Sequence, residues 1–160
     1  MSRPKGRRSG CSREDARNRV RRAEEFLVVA DLLLGEQVET GTDKDAINVS
    51  AVSAALAVLA GIAASDAACC HRLGERSRGQ DHAQAVALVR QVIPHGDELA
   101  NDLGRLLDLK DTAQYGILGV ADSEARRAVE WALLRDKCRR PVAGMLPRSS
   151  KGSGPGEERG

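Results

Sequence analysis

Aromatic side chains are almost missing from these 160 residues: Phe26, Tyr115 and Trp131 are the whole set. A core therefore has to be built from Ala, Val and Leu, which suits closely spaced helices better than a sheet sandwich. Also missing is any segment that alternates polar and apolar at the period of a strand. The four cysteines, Cys11, Cys69, Cys70 and Cys138, lack the CxxC or Cys/His spacing of a zinc site. They are expected to be buried or free thiols, with a metal site from Asp66, Cys70 and His71 as the weaker alternative. No P-loop, Rossmann glycine pattern, HExxH or serine elbow occurs, and GSGPG at 152–156 reads as a flexible tail. No cofactor is expected. The basic start Arg3–Arg13 is followed by no apolar h-region, so a cytoplasmic location is expected.

Charge is divided along the chain. Residues 1–13 carry five basic groups and no acid, and residues 139–160 carry five basic and two acidic. The span 14–138 holds 15 basic and 21 acidic groups, a net of −6. A body of that sign does not attract nucleic acid as a whole, so any phosphate binding has to be local. Residues 46–65 are free of charge, the one stretch with the length of a membrane span. They are mostly Ala, broken by Asn48, Ser50, Ser53 and Gly61, which favours a buried central helix over insertion in a bilayer.

Apolar spacing predicts five helices. Ser12 with Asp15 three residues later marks a helix start, and Ala16, Val20, Ala23, Leu27, Ala30 and Leu34 form one stripe, with an end near Gly35–Val38. A second helix is expected from Thr42 or Asp43 to about Leu73, apolar all round and so surrounded by neighbours. A third is expected at 82–93 behind the cap Asp81, carrying Ala85, Val86, Val89, Val92 and Ile93 and stopped by Pro94. A fourth spans 96–115 with Leu99, Leu103, Leu106, Leu107 and Ala113. A fifth, capped by Asp122 or Ser123, runs to about Lys137 on Ala125, Ala128, Val129, Ala132 and Leu133. The expected fold is all-α, a compact up-down bundle over residues 13–138. Residues 1–12 and 139–160 are expected to be disordered basic tails, dispensable for folding.

Two places gather chemistry. His71–His82 reads as a polar connection holding Arg72, Arg76 and Arg78 with two glycines whose N–H groups are open to a phosphate. Arg76 and Arg78 stand six and four positions before His82. That pairs a phosphate-holding cation with a proton-transfer group, the requirement for cleaving an RNA phosphodiester. The plain alternative is a solvated loop. The end of the fourth helix sets Lys110 four residues before Gln114, and Asp111 four before Tyr115, either as a binding face or as a local lock on the helix end.

In their order, AEEFLVVADLLL, AVSAALAVLAGIAASDAACC, DHAQAVALV, LLDLKDTAQYG and SEARRAVEWALL resemble a HEPN domain over about residues 23–137. The superfamily is all-helical and includes prokaryotic toxins, defence proteins and nucleotide-linked partners. The resemblance implies a homodimer with sites across its two-fold, and an antitoxin-like partner protein, a nucleotide or RNA as ligand. The family's nuclease signature is Arg, four to six residues, then His. Its Arg, Asn and His correspond here to Lys110, Asp111 and Tyr115, and all three depart. Lys is a poorer two-pronged phosphate clamp than Arg, and Tyr a poorer proton shuttle than His. The expectation is a non-catalytic, dimeric HEPN-like binding module. The alternative is a metal-independent endoribonuclease of a toxin–antitoxin or defence system, working through Arg78 and His82.

Overall fold

The computed structural model describes residues 7–34, 49–78, 81–115 and 119–132, apart from the side chains of Asp111, Gln114 and Tyr115. In chain order they form β1 (Arg8–Gly10), α1 (Arg13–Leu33), α2 (Val49–Leu73), β2 (Glu75–Ser77), α3 (His82–Val89), α4 (Gly96–Tyr115) and α5 (Asp122–Ala132). The architecture is a helical bundle with one very small two-stranded sheet. The expected extensions of the second helix back to Thr42 and of the fifth to Lys137, and the tail at 139–160, lie outside the described residues.

Local chemistry sets the helix starts. Ser12 and Asp15 close a reciprocal capping box: Asp15 N–H donates to Ser12 Oγ at 3.1 Å, and Ser12 N–H donates to Asp15 Oδ2 at 2.7 Å. Asp81 caps α3 by accepting from the Gln84 N–H at 3.2 Å. α5 begins at Asp122 itself, with Glu124 reaching back to the Ala121 N–H at 3.0 Å. α3 is shorter than its apolar spacing predicts. The chain leaves the helix at Arg90, and Ile93, expected inside, is 78% exposed.

α2 is the hub, touching α1, α3, α4 and α5. Its small residues Ala54, Ala57, Ala60, Ala63, Ala64, Ala67 and Ala68 are buried. They let neighbouring helices come close enough for many short dispersion contacts despite the missing aromatics. At Gly61 the approach is tightest, because a Cβ there would collide with Cδ1 of Leu106 in α4. α1 runs antiparallel to α2. Ser53 near the start of α2 donates a buried 2.7 Å hydrogen bond to the Ala30 carbonyl late in α1, while β1 before α1 pairs with β2 after α2. α5 closes the bundle and caps α1, with Arg126 Nη2 donating to the Leu34 carbonyl at 3.2 Å. α2 is the one described helix long and apolar enough to cross a membrane, by length and composition, and 67% of its most apolar window is buried inside the bundle.

The N-terminal arm corrects two expectations. It is not a disordered tail throughout: β1 lies antiparallel to β2 with Arg8 opposite Ser77, Ser9 opposite Arg76 and Gly10 opposite Glu75. Cys11 and Cys70 are not free thiols but a disulfide, with Cα atoms 5.4 Å apart and a sequence separation of 59. Among the described residues only Cys69 keeps a thiol, and it is buried. The supposed polar connection is also more ordered than expected. Its first three residues finish α2, and Gly74 at φ +67° turns the chain while its N–H donates to the Cys70 carbonyl at 3.2 Å. That is the glycine helix stop, and it sends Glu75–Ser77 back along the arm. The Gly74 N–H is therefore committed to the helix end and not open to a phosphate; Gly79 lies outside the described residues.

Candidate functional site

Around the C-terminal half of α2 the bundle opens into a cavity of about 300 Å³. Four cations reach its wall: Arg19 from α1, Arg76 from β2, Arg78 just beyond β2, and Lys110 from α4. His82, the first residue of α3, joins them, and the acids are Asp66 and Asp81. The floor is apolar, formed by Ile62, Ala85, Leu88, Val89, Leu103 and Leu107. Across His82 and Leu107 lies a second, more open groove of about 610 Å³, lined by Ala83, Val86, Ala87, Arg90 and Gly104 among others. Among the described residues, no Phe, Tyr or Trp side chain lines either space.

Asp66 organises the cationic wall. Its carboxylate lies 3.4 Å from Arg19 and 3.6 Å from Arg76, and its side chain is 15% exposed. Burial pushes the Asp66 carboxyl above the ordinary 3.8, against the opposing pull of Arg19 and then Arg76. The acid thus orients two guanidinium groups while cancelling only part of their charge. Asp81 is occupied by its capping bond to Gln84. Taken with full charges, the wall carries four cations against two acids, a positive site on a body whose net charge is negative. Ser65 also lines the cavity. It is 3% exposed, and its buried Oγ has no hydrogen-bond partner among the described residues. Buried hydroxyls normally find a partner, so an open cavity beside one leaves that role to a ligand or water.

The predicted site residues separate into three groups. Arg76, Arg78, His82 and Lys110 come from different elements and line one cavity. Arg72 is exposed in the last turn of α2 and is not part of the cavity wall. Asp111 and Tyr115 lie on the backbone of α4, and their side chains lie outside the described set. The metal alternative fails at its sulfur ligand, because Cys70 is bonded to Cys11. Among the described residues, no group of three or more His, Cys, Asp or Glu is placed to hold a metal ion.

Two wall residues were not expected at an anion site: Asp66 entered the sequence reading only as a possible metal ligand, and Arg19 not at all. Asp66 carried a usable signal, being the one charged residue between Ala46 and Arg72. A lone acid in an apolar helix has to find cations. Arg19 had none, as one of many arginines on the polar side of α1.

Comparison with protein-family models, with curated proteins and with solved structures finds no match for this chain.

Proposed function

We propose that the chain is a non-catalytic, HEPN-like binding module that holds a phosphate-bearing ligand, a nucleotide or an RNA strand, in the cavity between α2, α3 and α4. The observation that carries this is the convergence of Arg19, Arg76, Arg78 and Lys110 on one space of about 300 Å³ in an otherwise acidic body. Guanidinium groups held by a buried acid are oriented before the ligand arrives, which lowers the entropy lost on binding. The adjoining groove gives a ligand longer than one phosphate room to continue past His82. With four cations on its wall, recognition is led by phosphate and is indifferent to sequence.

The same cavity supports a second reading, an endoribonuclease, because Arg78 and His82 both line it. General acid–base cleavage of a phosphodiester needs two proton-transfer groups. His82 is the only histidine on the wall, and Asp66 is already engaged by Arg19 and Arg76. Binding without cleavage is the better fit. The exposed apolar residues Val28, Val29 and Leu32 on α1 and Val52 on α2 support the expected homodimer, and light scattering at micromolar concentration tests it.

The deciding experiment titrates the full chain into a short 5′-phosphorylated, 3′-fluorescein-labelled RNA, follows anisotropy, and then analyses the RNA on a denaturing gel. Saturable binding with intact RNA is expected. Cleavage by wild type that His82→Ala abolishes would transfer the case to the ribonuclease reading, and absence of binding would end both.

A further inference from the structure

We propose that the Cys11–Cys70 disulfide is a redox control on the phosphate cavity, strengthening anion binding when formed and weakening it when reduced. The inference rests on the binding function proposed above. β2 carries Arg76, and Arg78 follows it directly; both are cavity cations. The backbone behind them is held by the N-terminal arm. The β1–β2 ladder is flanked by Arg78 N–H donating to the Arg7 carbonyl at 2.6 Å and Cys11 N–H donating to the Gly74 carbonyl at 2.9 Å. A ribbon with three residues in each strand does not hold together in water by itself. The ion pair between its two strands, Arg8 with Glu75 at 2.7 Å, is substantially exposed on both sides and contributes little. The disulfide is the covalent fastening, one residue beyond β1, and joins it to the last turns of α2, four residues from Asp66.

The chemistry balances with a dithiol as reductant. Its thiolate attacks Sγ of Cys11, which is partly exposed whereas Cys70 is buried, and the Sγ–Sγ bond breaks with Cys70 leaving as the thiolate. The second thiol of the reductant then attacks the mixed disulfide and releases Cys11. The protein gains two electrons and two protons, and the dithiol becomes a disulfide. With the fastening gone, the ribbon frays, Arg76 loses the backing that holds it toward Asp66, and Arg78 loses its backbone hydrogen bond. Disulfides persist in oxidising compartments and are transient, regulated bonds in reducing ones. In the cytoplasmic setting expected from the sequence, the cavity would then follow the local thiol balance.

The test measures affinity of the oxidised full chain, of the same protein after dithiothreitol, and of Cys11→Ser, using the labelled 5′-phosphorylated RNA as probe. Reduction is expected to weaken binding roughly three- to tenfold, the scale of one charge-assisted phosphate contact. Cys11→Ser should match the reduced protein under both conditions. Equal affinity of oxidised and reduced protein, or a Cys11→Ser variant that binds like the oxidised one, overturns the proposal. Hydrogen exchange at the Cys11 and Arg78 amides supplies a readout independent of ligand. If the oxidised chain binds no RNA, the binding function fails, and the control is judged on exchange alone: protection lost on reduction supports it, and protection retained overturns it.

Discussion

Arg76, in the short strand β2, stands 3.6 Å from Asp66 in the C-terminal half of the bundle's central helix. That pair joins the least substantial element of the fold to its most buried one, and most of what the cavity is expected to do depends on it.

Asp66→Asn removes a negative charge from the wall but also the carboxylate that holds Arg19 and Arg76, so the electrostatic gain is partly offset by the orientation the two guanidinium groups lose. Affinity for the labelled RNA should still rise at neutral pH, by less than the roughly three- to tenfold effect of one nearby charge at the dielectric of a protein surface. The pH dependence has a definite sign. Because the folded-state pKa of Asp66 is raised above 3.8, its stabilising contribution is complete below that value and is lost as pH rises through the raised one. Anion binding should strengthen as Asp66 takes up its proton. His82, Asp81 and Lys110 face the same space, so the comparison of wild type with Asp66→Asn isolates the Asp66 contribution.

Cations on the cavity wall should be separable from those elsewhere. Arg76→Ala and Lys110→Ala are each expected to weaken RNA binding about tenfold and to flatten its salt dependence by about one phosphate contact. Arg72→Ala, an exposed residue of α2 away from the wall, should change neither. Fluorescence titrations at several salt concentrations make the comparison.

Gly61 is where α2 and α4 come closest. Gly61→Leu would force Leu106, which is fully buried, out of its place. Overpacking of this kind costs about 1–3 kcal/mol, measured by urea denaturation. Ser53→Ala is milder. It removes the buried bond to Ala30 and should cost about 1 kcal/mol in the same assay.

Removing residues 1–12, expected from sequence to be harmless, should instead destabilise the oxidised protein. The deletion takes away the capping Ser12, strand β1 and the disulfide. A cross-link closing a loop of this size contributes on the order of 4 kcal/mol by restricting the unfolded chain. The same deletion compared under reducing conditions should show a much smaller loss. Thermal melts with and without dithiothreitol check both.

The helices were legible because their signals are local. Ser12 with Asp15, Asp81 before His82, and the stepped apolar positions of α1, α4 and α5 depend on residues three or four apart, and the structure uses them as expected. The ribbon and the disulfide were not. Three-residue strands offer no period to detect, and a bridge between Cys11 and Cys70 depends on α1 folding back along α2, which no spacing of cysteines encodes. The cavity was half legible. Arg76, Arg78 and His82 are close in sequence and drew attention together, whereas Lys110 reached the same wall from a different line of reasoning. Arg19 and Asp66 met only through packing.

The bond between Cys11 and Cys70 also changes the topology of the chain. All of α1 and most of α2 lie inside one covalent ring, with residues 35–48 as part of its circumference. A single proteolytic cut in that stretch opens the ring without releasing a fragment. Under denaturing conditions the two pieces of the nicked protein stay joined while the disulfide is intact, and separate only once it is reduced. On a gel the same sample therefore runs as one band or two according to its redox state, which makes a protease nick a direct reporter of whether the ring is closed inside a cell.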